Sequence, residues 1–158
     1  MSILETRRQV WVNEAACAAS AAALAARPPL REAYVELRGP LGAGKTTFVR
    51  HLLQALGVAG RIKSPTYAVM EPYDVDLPEG RVPVHHFDFY RFDDPQEWED
   101  AGFRDVFAGP GLKLAEWPEK AESLLPEPDL RVTIDLDAGD RRVVTFAACT
   151  PRGLELLA

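Results

Sequence analysis

Cysteine is scarce in this 158-residue chain: there are two, Cys17 and Cys149, in no CxxC or Cys/His ligand spacing. That spacing offers no zinc pattern, and both read as reduced core thiols. Long apolar runs are missing as well. The most apolar stretch, Ala15 to Ala26, is alanine-rich, interrupted by Ser20 and closed by Arg27. It falls short of the ~20 residues that span a bilayer, so no membrane helix is expected. Near Met1, Glu5, Arg7 and Arg8 stand where a secretory signal needs a basic start and an apolar run, so a cytoplasmic protein is expected. Basic charge is in deficit, with 18 Lys and Arg against 24 Asp and Glu and a net charge of -6. Broad coating of a nucleic-acid backbone, which lysine and arginine drive, is therefore disfavoured. Asparagine occurs once, as Asn13, and no Asn-Lys-x-Asp follows it, so the guanine-reading motif of GTPases is absent.

What remains is ordinary globular composition, 47% apolar and 27% charged, with no internal repeat or linker. One α/β domain over residues 1–158 is the expectation. Arg7 to Val12 reads as an opening strand, and Asn13 supplies an N-cap for a helix through the alanine run, ended by Arg27-Pro28-Pro29. Ala33 to Leu37 reads as a short strand before a glycine-rich loop, after which Phe48, Leu52, Leu53 and Leu56 recur at helical spacing up to Gly57. Thr66 to Tyr73 and Val82 to Tyr90 have strand composition and flank the polar segment Asp74–Arg81, which predicts a hairpin with a long connection around Pro78-Glu79-Gly80. Asp94-Pro95 opens a helix running through Trp98 toward Gly102. Leu112 to Ala115 reads as a buried strand ending in Glu116-Trp117-Pro118, followed by a helix that Pro126 and Pro128 must terminate. Leu130 to Leu136 and Arg141 to Ala147 alternate around Ala138-Gly139-Asp140 as a second hairpin. The order predicts a three-layer P-loop NTPase-like fold, its mixed sheet parallel around the loop with antiparallel hairpins added.

The loop Gly39-Pro40-Leu41-Gly42-Ala43-Gly44-Lys45-Thr46 matches GxxxxGK[ST] between a strand and an amphipathic helix. Its glycines let successive N–H groups and the helix N-terminus face phosphates. Gly39, Leu41, Gly42, Ala43, Gly44, Lys45, Thr46 and Thr47 are the expected ATP contacts, with Lys45 reaching the β- and γ-phosphates and Thr46 holding Mg2+. Hydrolysis also needs a carboxylate for the metal and a group that positions water. Asp88 and Glu116 each lie at a strand end, where ligands of open α/β sheets sit. Asp88 is otherwise an ion-pair partner of Arg91, and Glu116 a member of a structural pair. In Lys63-Ser64-Pro65-Thr66-Tyr67 a hydroxyl such as that of Thr66 is placed to touch magnesium or water; a Ser-Pro turn is the plainer reading. His85 and His86 read as strand residues on opposite faces rather than ligands. Trp117 belongs near the base or ribose, or in the core. The eleven carboxylates from Glu71 to Asp105, against Arg81, Arg91 and Arg104, form a solvated face or a surface for a basic partner.

The run Gly39–Thr47 (GPLGAGKTT), then Lys63–Tyr67 (KSPTY), Glu71-Pro72-Tyr73, His86–Arg91 (HFDFYR) and Glu116-Trp117-Pro118, in this order, closely resembles the TsaE (YjeE) family. The resemblance covers roughly Leu37 to Leu136. It implies a small ATPase required for threonylcarbamoyladenosine in tRNA, with ATP and Mg2+ as cofactors. It implies Thr46 and Glu116 as magnesium ligands, Asp88 as a Walker B-like catalytic carboxylate and Ser64-Pro65-Thr66 as a switch-like segment. It also implies slow hydrolysis that resets a TsaB–TsaD complex in the cytoplasm, with tRNA involved indirectly. A small-molecule kinase would add an arginine-rich lid, for which Arg141 and Arg142, in a hairpin, are poorly placed. A nucleotide-switched assembly module that needs no turnover stays open.

Overall fold

The computed structural model describes residues 3–58, 62 and 69–158. Seven strands form one sheet: β1 (Glu5–Trp11), β2 (Tyr34–Arg38), β3 (Met70–Leu77), β4 (Gly80–Asp88), β5 (Leu112–Glu116), β6 (Leu130–Leu136) and β7 (Arg142–Ala148). Their spatial order is β1-β7-β6-β2-β5-β4-β3. Strands β6, β2, β5 and β4 run parallel, and the antiparallel pairs are β1 with β7, β6 with β7, and β3 with β4. The expected parallel centre with antiparallel hairpins is therefore present. All five residues of β5 are buried, as a central parallel strand covered on both faces requires.

Helices cover both faces. On one side lie α1 (Glu14–Ala25) and α2 (Lys45–Ala55), whose Cys17, Ala21, Leu24, Phe48, Leu52 and Leu53 pack on Val35, Leu37, Leu114, Val132 and Ile134. Asn13 caps α1 by accepting from the Ala16 N–H at 2.9 Å, and Trp11 stacks on Phe48 at 5.4 Å. On the other side α3 (Pro95–Ala101) and α4 (Phe103–Ala108) contribute Trp98 and Phe103 to an aromatic cluster with Phe87, Phe89 and Tyr34. A last helix, α5 (Pro151–Leu157), follows β7.

Two expectations are corrected. The Asp74–Arg81 segment is not a long loop, because β3 continues to Leu77 and β4 starts at Gly80, pairing Asp74 with Pro83 and Asp76 with Arg81. Its polar residues are the outward half of a strand alternation whose inward member, Val75, is buried. After Trp117 there is a short 3-10 turn, Pro118–Ala121, in place of an α-helix. Trp117 in the left-handed region (φ 54) redirects the chain, and Ala121 drops into the aromatic cluster. Gly102 (φ 69) ends α3 as the sequence predicts, and also opens the unforeseen α4. Thr66 and the rest of the segment 63–68 lie outside the described residues. Part of the acidic run is paired locally, as Asp76 with Arg81 and Glu99 with Arg104.

Candidate nucleotide site

Strand register builds this site. Leu37 of β2 pairs with Glu116 of β5, and Glu116 pairs with Asp88 of β4, so one row at the carboxyl ends of three adjacent parallel strands carries both carboxylates and the start of the glycine-rich loop. Ligands of open α/β sheets gather at such ends. The loop packs tightly on its outer side: at Gly39 (φ 143) an added Cβ would stand 2.2 Å from the Ile134 carbonyl oxygen. Gly44, at φ 109, occupies the N-cap of α2 without a capping side chain. The first N–H groups of α2 are thus left for a ligand, and the helix dipole favours an anion there. Arg142, at the start of β7, donates from Nε to the Ala43 carbonyl at 3.1 Å and from Nη1 to the Asp140 carbonyl at 2.8 Å, pinning the loop from behind.

Lys45 is buried, its Nζ donating to the Gly39 carbonyl and, at 3.4 Å, to that of Pro40. The same ammonium lies 3.7 Å from the centroid of Trp117, whose ring packs on Tyr90 at 5.0 Å. Burial lowers the Lys45 pKa, and the charges of Glu116, Glu119 and Asp88 oppose that shift. The Thr46 hydroxyl donates to Glu116 Oε1 at 2.8 Å. Glu116 is 2% exposed, and its Oε2 lies 2.6 Å from Nε2 of the fully buried His86. Asp88 accepts from the Tyr90 N–H at 3.0 Å; no ion pair ties it to Arg91 among the described residues. Burial pushes its carboxyl above the ordinary value, the Glu116 charge adds to that, and the Tyr90 N–H works against it.

Among the described residues two cavities flank the loop. One, of about 260 Å³, is bounded by Leu41, Lys45, Thr46, Asp88, Glu116 and Trp117. The other, of about 190 Å³, lies between the loop and the start of α1, bounded by Trp11, Asn13, Cys17, Thr47, Asp140 and Arg142. Ala43, Gly44 and Thr47 border both. Trp117 thus belongs with the carboxylates and Lys45, away from the second cavity.

A hard divalent cation fits the donor set of hydroxyl and carboxylate oxygens. The 2.8 Å between Thr46 Oγ1 and Glu116 Oε1 is close to the edge of an octahedron with metal–oxygen bonds of about 2.1 Å. Among the described residues no group of three or more His, Cys, Asp or Glu is placed to hold a metal alone, so phosphate and water oxygens would have to complete the shell. Of the residues expected from sequence, Lys45, Thr46, Asp88, Glu116 and Trp117 converge, with Leu41, Gly42, Ala43, Gly44 and Thr47 bordering the same cavity. Gly39 shapes the loop from behind. His86 and Arg142 were not foreseen. The position of His86 two residues before Asp88 on one strand was a usable signal; for Arg142, 99 residues from Ala43, there was none.

Comparison with known proteins shows the family and the fold. A family model described as threonylcarbamoyl adenosine biosynthesis protein TsaE matches residues 11–144. A Haemophilus influenzae protein named tRNA threonylcarbamoyladenosine biosynthesis protein TsaE is 43% identical over 123 residues, which cover 78% of this chain and 75% of that one. Its Bacillus subtilis namesake is 38% identical over 112 residues, covering 71% and 67%. The fold is similar to the crystal structure of Bacillus subtilis YdiB, with a TM-score of 0.76, 28% identity, and coverage of 99% of this chain and 95% of that one. No helix among the described residues is long and apolar enough to cross a membrane.

Proposed function

Because the chain belongs to the TsaE family, we propose that it is a slow, Mg2+-dependent P-loop ATPase. It acts in threonylcarbamoyladenosine modification of tRNA, resetting a TsaB–TsaD-type complex and meeting tRNA only indirectly. The observation that carries the reading is the meeting of Lys45, Thr46, Glu116 and Asp88 in one cavity at the open N-terminus of α2. Thr46 and Glu116 would hold Mg2+, which when bound neutralises charge on the β- and γ-phosphates. Lys45 exchanges the carbonyls of Gly39 and Pro40 for those phosphates. The uncapped N–H groups of α2 bind the remaining phosphate oxygens. Asp88, half-buried beside Glu116, accepts a hydrogen bond from the attacking water and orients it. The nucleoside extends past Thr47 into the second cavity, toward Asn13 and Arg142. Arg141 is bonded to Asp137 and Arg142 to the loop backbone, so neither arginine is arranged as the lid a small-molecule kinase would close.

A reconstituted threonylcarbamoyl transfer with a TsaB–TsaD pair and tRNA tests the role. With this protein and Mg-ATP, product should keep accumulating after the first round. Equal accumulation without the protein would overturn the proposal.

A further inference from the structure

His86 and Asp88 lie two residues apart in β4 and therefore project from the same side of the strand, beside the strand end that carries Glu116. His86 has no exposure, and its Nε2 lies 2.6 Å from Glu116 Oε2. A carboxylate only accepts, so Nε2 carries the proton of this contact, and Nδ1 is buried without a partner among the described residues. The two oxygens of Glu116 are thereby divided: Oε2 is held by His86, and Oε1 faces the Thr46 hydroxyl at 2.8 Å. Without His86 a carboxylate that is 2% exposed would lose one of the two bonds that the described residues make to it and be free to rotate about its terminal torsion.

We propose that His86 is a positioning residue that holds Glu116 as a one-oxygen metal ligand and so favours Mg2+ over Ca2+ at this site. This role rests on Glu116 being a metal ligand. Ca2+ takes more oxygens at longer distances and often both oxygens of a carboxylate, whereas Mg2+ takes single oxygens in a tight octahedron. Hydrogen bonds to a ligating carboxylate fix such a choice, because they leave one lone-pair set for the metal.

The test is calorimetric titration of the whole protein with ATP at a series of Mg2+ or Ca2+ concentrations, in the parent, His86→Phe, His86→Gln and Glu116→Ala. In His86→Phe the Mg2+ concentration needed to tighten ATP binding should rise about 10–100-fold, while the Ca2+ requirement moves less and the preference narrows. In His86→Gln, whose amide N–H reaches the same oxygen, it should stay within about threefold of the parent. A purely structural histidine would lower the melting temperature without changing the ratio of the two metals. If the His86→Phe curves overlay the parent while Glu116→Ala is shifted, the positioning role is wrong. If Glu116→Ala is unshifted too, the ligand reading beneath it has failed. Should His86→Phe not fold, the parent's long-range imidazole ¹H–¹⁵N spectrum decides: a proton on Nε2 supports the inference, and a bare Nε2 overturns it.

Discussion

Asp88 and Glu116 are register partners at the ends of two parallel strands, yet only Glu116 is tied to the loop helix, through the Thr46 hydroxyl at 2.8 Å. Among the described residues Asp88 is anchored by one backbone N–H, that of Tyr90. Equivalent positions in the sheet are thus held differently: Glu116 is fixed through both oxygens, and among the described residues nothing is bonded to the second oxygen of Asp88.

That division predicts the behaviour of Asp88→Asn. Shape is kept while the acceptor charge is lost, so ATP binding should persist and single-turnover hydrolysis should fall tenfold to a thousandfold, roughly 1.4–4 kcal/mol of barrier. The melting temperature should barely move, since among the described residues no ion pair holds Asp88. Full turnover by a folded Asp88→Asn protein would remove Asp88 from the chemistry.

Two protein oxygens make a weak metal site by themselves. Mg2+ titrated into the nucleotide-free protein should give no saturable heat in the submillimolar range, whereas ATP should create a site. Thr46→Ala and Glu116→Ala should each weaken the Mg2+ dependence of ATP binding without unfolding the chain. Saturable Mg2+ binding without ATP, or titrations of both variants that overlay the parent, would contradict the assignment.

The carboxyl-end row of the sheet was legible in the sequence because a phosphate loop after a short strand and two carboxylates at later strand ends leave few other arrangements. The parallel centre and both hairpins followed from alternation and turn residues. What was not legible depends on tertiary context. Asp74 and Asp76 read as loop because the outward half of an edge strand resembles a polar connection. Nothing near Trp117 signalled its left-handed backbone. The Arg142 contact with Ala43 joins residues 99 apart, which no local pattern encodes. The helix expected after Pro118 lost to burial of Ala121 in the aromatic cluster.

Gly39 is needed for two reasons, its φ of 143 and the 2.2 Å approach a Cβ would make to the Ile134 carbonyl. Ile134 is fully buried in the sheet and cannot retreat. Gly39→Ala should therefore cost about 2–4 kcal/mol and lower the melting temperature by roughly 5–15 °C. Scanning calorimetry checks this; an unchanged transition would mean that the loop does not pack on β6.

Cys17 borders the second cavity, and burial, helped by the Glu14 charge and opposed by Arg142, pushes its thiol up to about 11. Because the shift is upward, the inert protonated form persists through the neutral range. At about pH 8 roughly one molecule in a thousand carries the thiolate. Reaction with an aromatic disulfide reagent should be far slower in the folded protein than in urea, speeding up only as pH approaches 11, and slower again with ATP in place. Rapid labelling of Cys17 at about pH 8 would contradict the buried position.

The central claim is that ATP is held by this loop through Lys45, the ammonium in a site otherwise built from backbone dipoles. Isothermal calorimetry of ATP with Mg2+ into the parent and into Lys45→Ala tests it most directly. The account predicts one saturable site in the parent and its loss in a Lys45→Ala protein that melts normally; unchanged ATP affinity in that folded variant would contradict it.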